Sequence, residues 1–159
     1  MASLNALISV YTSHLQQGEL QTAYKGILDS ISLLRAHFIR KYPDCDVGGI
    51  YQGYMDMSYF SLSPKTLREQ GLKIAIVYLH AKGVFEVWLS ARNRGLSKKY
   101  DAIRCHSFPD MTVFHDDTNL DSIIECTLTA SPDFENHAKL TNIIVQGVEE
   151  FLAAIVSLI

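Results

Sequence analysis

Apolar residues near the start of the chain recur at helical spacing. Leu4, Leu7, Ile8, Tyr11 and Leu15 form one stripe, closed by Gly18, and Tyr24, Ile27, Leu28, Ile31, Leu34 and Phe38 form a longer one that Pro43 ends. Gly26 lies inside the second pattern at a small propensity cost, which a close-packing contact would explain. From Gly49 the period drops from near 3.6 to 2. In IYQGYMDMSYFSL, Tyr51, Met55, Met57 and Tyr59 alternate with Gln52, Tyr54, Asp56 and Ser58, so a strand is predicted with the second set on its polar side. SPKTLREQG then reads as a short helical turn or loop.

The stretch LKIAIVYLHAKGVFEVWLSARN carries the clearest hairpin signal. With Ala81 and Lys82 as the loop, Leu79 faces Val84, Tyr78 faces Phe85, Ile76 faces Val87 and Ile74 faces Leu89. One face is then wholly apolar, and the other carries Lys73, Ala75, Val77, Glu86, Trp88 and Ser90. A three-residue loop would set Glu86 across from Tyr78 and mix the two faces, so the first register is preferred; a wider loop with a bulge keeps it open to adjustment.

Leu96, Tyr100 and Ile103 predict a helix from about Arg94 to Arg104. Two weaker strands follow, near Met111 to Phe114 and Ser122 to Leu128, separated by the turn-like HDDTN. Ser131-Pro132-Asp133 has the form of a helix start, and Leu140, Ile143, Ile144, Val148, Phe151, Leu152, Ile155 and Ile159 form the apolar stripe of a last helix. The order α-α-β-β-β-α-β-β-α predicts an α+β domain with a single antiparallel sheet of about five strands and helices packed on one face. Alternating βα units are absent, which disfavours a doubly wound nucleotide fold.

The length of 159 residues suits one domain, spanning 1–159. With 48% hydrophobic and 19% charged residues the chain is too apolar for disorder. Its formal charge of -3 without a basic run argues against nucleic acid as a partner. MASLNALISVYTSHL has neither a basic leader nor an unbroken apolar stretch, and Gln146, Glu149 and Glu150 interrupt the apolar C-terminal tract, so no membrane span and a cytoplasmic location are expected. Three scattered cysteines, Cys45, Cys105 and Cys126, are expected to be reduced thiols.

The residues of the central block resemble an uncharacterised family of small bacterial domains of unknown function. The resemblance rests on Lys41-Tyr42-Pro43, GGIYQGYMDMSYF from Gly48, Leu72-Lys73-Ile74-Ala75-Ile76, and Phe85-Glu86-Val87-Trp88-Leu89 with Arg92-Asn93. It implies a bacterial origin and a compact α+β fold, and brings no activity with it.

Candidate chemistry therefore comes from the residues themselves. If the polar side of the first strand, with Tyr54, Asp56 and Ser58, shares a face with Glu86, Trp88 and Ser90, then carboxylates, hydroxyls and an indole converge beside Arg92. Such a face could bind a small polar ligand or a protein partner through Tyr54, Asp56, Glu86, Trp88 and Arg92; otherwise it is a solvated sheet face whose charges pair across strands. The leading expectation is a non-enzymatic binding or interaction module. The alternative is an enzyme of unknown reaction, a hydrolase with Asp56 and Glu86 as acid, base or metal ligands. A Mg²⁺ nuclease built on Asp44 and Glu86 would lack the lysine expected two positions after the glutamate, where Trp88 stands. The six histidines are scattered, no paired-cysteine motif occurs, and His115-Asp116-Asp117 reads as a polar turn, so neither a metal nor a cofactor is expected. Arg92, Arg94, Lys98, Lys99 and Arg104 read as a solvated helix face. Trp88, Tyr54, Ala75 and Val77, if uncovered, would form an apolar patch suited to a two-fold homodimer.

Overall fold

The computed structural model describes residues 1–109 and 111–159. Among them, two helices open the chain, α1 (Leu4–Gln17) and α2 (Glu19–Lys41), joined by Gly18. Ser3 Oγ accepts from the Ala6 N–H at 3.2 Å and caps α1. The strands are β1 (Asp46–Val47), β2 (Met57–Ser63), β3 (Leu72–Leu79), β4 (Val84–Ala91), β5 (Val113–Phe114) and β6 (Ile124–Thr129). They form one antiparallel sheet in the order β1-β2-β3-β4-β6-β5. Short helices α3 (Lys65–Glu69) and α4 (Arg94–Lys99) and a 3₁₀ turn over Asp101–Cys105 fill the connections, and α5 (His137–Val156) ends the fold. This is the expected α+β architecture, with a sixth strand contributed by the two-residue β1.

The pleat sorts the sheet into two faces. Phe60, Ile76, Val87 and Cys126 share one row of paired residues, and Leu62, Ile74, Leu89 and Ile124 the next; both rows lie under α2 and α5. Ile31, Leu34 and Phe38 of α2 and Leu140, Ile144, Val148, Phe151 and Ile155 of α5 complete that core. Removing this apolar surface from water is the main source of stability for a chain of this size. On the other face, Ser61, Ala75, Trp88, Glu125 and Phe114 form one row, and Tyr59, Val77, Glu86 and Thr127 its neighbour.

The β3–β4 register is the expected one, from Leu79↔Val84 through Leu72↔Ala91. The loop is wider than expected: four residues, His80 to Gly83, closed by the Gly83 N–H donating to Leu79 O at 2.8 Å. Gly83 has φ 67°, a backbone state open to glycine at little cost. Between Phe85 and Glu86 the pairing with β6 slips by one residue, a bulge that leaves Leu128 extra. There the sheet meets α5 at Gly147, where a Cβ would lie 2.6 Å from Leu128 Cδ2.

Other expectations need correction. The last helix begins at His137, capped by Asn136 Oδ1 accepting from the Lys139 N–H at 3.2 Å, because Ser131 to Glu135 fold as turns held partly by Asp133. The helix expected over residues 94–104 breaks at Tyr100 into the 3₁₀ turn. Gly26 is no packing point: a Cβ there would meet nothing within 4 Å. Gly26→Ala should accordingly raise the unfolding free energy by about 0.5–1 kcal/mol, since alanine is the better helix former and costs less backbone entropy. Urea denaturation checks this, and an unchanged or lowered midpoint would contradict it.

Among the described residues no helix is long and apolar enough to cross a membrane. Cys45, Cys105 and Cys126 are free thiols, and burial pushes the Cys126 thiol up.

Candidate functional site

The face of the sheet away from α2 and α5 carries a half-open cavity of about 300 Å³ at the β3–β4 hairpin end. Its floor is sheet: Glu86 and Trp88 of β4, Glu125 of β6 and Phe114 of β5. The hairpin supplies Leu79, Ala81 and Lys82, the turn before β2 supplies Asp56, and the β5–β6 connection supplies Asp116 and Asn119. Four carboxylates and one ammonium group thus line it, together with an indole and a phenyl ring.

The alternation of β4 puts Glu86 and Trp88 on the same side, two residues apart. The Trp88 Nε1–H donates to Glu86 Oε1 at 2.9 Å. Glu86 is only 4% exposed, and among the described residues no donor reaches its second carboxylate oxygen. Glu125, 1% exposed, is fully engaged instead. It accepts from Asn119 Nδ2 at 3.0 Å and from the Asp116 N–H at 3.4 Å, and lies 3.1 Å from His115 Nδ1. These bonds draw the 115–122 connection over the sheet, and Ser90 Oγ donating to Asp121 O at 2.7 Å fastens its far end. Asp116 is held below the usual carboxylate range, first by the Thr118 hydroxyl and then by the Thr118 N–H.

Asp56 reaches the rim through a tight turn. Gly53 has φ 74° and a Cβ there would lie 2.0 Å from Met57 O, so only glycine fits; Met55 also has positive φ, 64°. Asp56 Oδ1 accepts from the Tyr54 N–H at 2.8 Å, and this bond is the main reason the carboxyl sits below its ordinary range. The His80 N–H donates to Asp56 O at 3.0 Å, joining the turn to the hairpin.

Behind that turn, Ser58 Oγ lies 2.8 Å from His80 Nε2 and 2.5 Å from Gln52 O. A carbonyl only accepts, so the single hydroxyl proton goes to Gln52 O and His80 Nε2 carries the proton donated to Ser58. His80 in this tautomer cannot take a proton from Ser58, and the pair is a structural clasp, with Tyr24 stacked on the imidazole at 5.4 Å. Burial holds the imidazole below its usual range, partly offset by the Asp56 carboxylate. The unfolded chain therefore takes up this proton first as pH falls. The clasp's contribution is complete above the ordinary histidine range near 6.5 and is lost as pH drops through it toward the lowered folded value. Urea midpoints at pH 7.5 and 5.5 should differ less for His80→Gln than for the natural chain; an equal difference in both would contradict this role.

A family model described as a domain of unknown function, DUF7000, matches residues 4–159. The chain belongs to that family. This agrees with the uncharacterised family that the central block resembles. No curated protein and no solved structure matches the chain.

Within this DUF7000 domain, three of the residues singled out from sequence, Asp56, Glu86 and Trp88, line the same cavity. Tyr54 does not line it and is 91% exposed on its turn. Arg92 lies at the other end of β4, about 20 Å along the strand from Glu86, where its N–H donates to Gly71 O. The expected shared face also needs correction. Tyr54 and Asp56 precede β2, because positive φ at Gly53 and Met55 breaks the alternation, and Ser58 points into the core side beside Tyr78. Ala75, Val77 and Trp88 form no exposed patch; they bury one another with Met57, Tyr59 and Leu79. Glu125 and Phe114 went unnoticed in the sequence. Glu125 does carry a signal, as the one charged residue inside the apolar strand SIIECTL. Nothing in its sequence marks Phe114, whose strand has two residues.

Proposed function

We propose that this domain is a binding module that holds a small organic cation in the cavity over β4, β6 and β5. The observation that carries the reading is Glu86: a carboxylate almost wholly removed from water, with one oxygen bonded to Trp88 and the other left for a ligand. The free oxygen of this shielded carboxyl is an acceptor, and a donor that carries positive charge is the partner that bonds a carboxylate most strongly. The Trp88 and Phe114 rings suit the hydrocarbon part of an alkylammonium or guanidinium group and attract its charge. Asp56 and Asp116, both held ionised, add an attractive field at the rim. The volume lies at the small end of the range for ligand cavities, which fits a compact amine. Asp56, held below the ordinary carboxylate range by the Tyr54 N–H, is not poised as the general acid of a hydrolase.

Calorimetric titration with butylammonium and agmatine, against butanol and butyrate, tests the reading. The cations should bind and the controls should not. Glu86→Gln, which keeps an acceptor for the Trp88 N–H, should weaken cation binding roughly tenfold or more, the loss of one charge-assisted contact. Equal heats from butyrate, or affinity unaltered in Glu86→Gln, would remove the proposal.

A further inference from the structure

The first 29 residues contain no buried side chain, and the first buried residue of the chain is Ser30 in α2. Yet residues 4–17 and 19–29 are helical. A helix of 14 residues in water is marginal without packing, so a lone α1 needs a surface to rest on. Its apolar stripe is open: Leu4, Leu7, Ile8 and Tyr11 are all about half exposed or more. Leu20 continues the exposed apolar surface onto α2.

We infer that α1, with the start of α2, is an arm that pairs with the same arm of a second copy of this chain about a two-fold axis. Area supports this. The chain exposes 9525 Å², whereas a compact monomer of 17.8 kDa exposes about 8,000 Å². The excess, about 1,500 Å², exceeds the roughly 800 Å² that each partner of a stable interface buries. Charge selects the occupant. Helix α1 has no Asp, Glu, Lys or Arg, so its copy can face it without like-charge repulsion. Its polar side, with Asn5, Ser9, Thr12, Ser13 and Gln16, has none of the basic residues that bind a helix to an anionic lipid surface. The sheet-face patch expected to form a dimer is already buried within one chain.

Sedimentation equilibrium of the purified chain over a range of concentrations tests the arm. The natural chain should be a dimer at micromolar concentration. Leu7→Glu with Tyr11→Glu should raise the dimer dissociation constant at least about a hundredfold, since each two-fold contact then carries facing carboxylates. Because neither residue is buried within the protomer, the circular dichroism of the sheet and α5 should be kept. Asn5→Glu with Ser9→Glu, on the opposite side of α1, should leave dimerisation intact. A monomeric natural chain overturns the inference, whether or not the arm then binds neutral vesicles or another protein. A dimer that survives Leu7→Glu with Tyr11→Glu also overturns it, because the contact must then lie elsewhere.

Discussion

Phe38→Ala should lower the unfolding free energy by about 3–5 kcal/mol, the usual range for emptying a buried phenylalanine site. Phe38 is fully buried, with its ring 5.9 Å from that of Phe60 on β2 and 5.9 Å from that of Tyr42 at the end of α2. With Ile31 and Leu34 it is one of the three fully buried apolar anchors of a helix whose first half has no fully buried residue, and it is the largest of them. The clasp at the end of α2 cannot make up the difference. Tyr42 Oη donates to Glu149 of α5, and Lys41 Nζ pairs with the same carboxylate at 2.8 Å, but these groups are half exposed and such pairs contribute little in water. For a chain of this length the melting temperature should fall by roughly 10 °C or more. A fall of under about 2 °C would mean that α2 is not anchored through the Phe38–Phe60 contact.

The second large effect concerns the wall of the cavity. Glu125→Ala removes the acceptor for Asn119 Nδ2 and the Asp116 N–H and the partner of His115, all on the 115–122 connection. Hydrogen bonds to a charged group contribute about 1.5–3 kcal/mol each, and a buried donor left without a partner adds its own cost, so a loss on the order of 3 kcal/mol is expected. Hydrogen exchange should quicken first over 115–122 while β3 and β4 keep their protection, because the core face lies on the other side of the sheet. Unchanged exchange in that segment would show that Glu125 does not hold it.

The sequence made the sheet's central hairpin readable because both faces are patterned: a register slip of one residue would put Glu86 among Ile74, Ile76 and Tyr78. The two opening helices were equally plain, from stripes of apolar residues and the closing Gly18. What escaped was set by backbone conformation or by distant partners. Alternation alone carried the first strand back to Gly49, while Gly53 and Met55 adopt positive φ and turn the chain before Met57. That turn is why Asp56 arrives at the cavity rim from a loop, and why Tyr54 does not arrive at all. Arg92 lies beyond the end of β4, and an extended strand carries positions six apart to opposite ends of the sheet face, away from Glu86. Glu125 reaches the site only because β6 inserts beside β4, a pairing between residues distant in sequence that no local pattern specifies.

Trp88 is the sole tryptophan of the chain, and it lines the cavity with its indole N–H on Glu86. Its fluorescence therefore reports the site without a label. Titration with butylammonium should give a saturable change in Trp88 emission, absent with butyrate at the same ionic strength and weakened in Glu86→Gln. A flat response to cations, or an equal one to butyrate, would contradict the account of this cavity as a cation site.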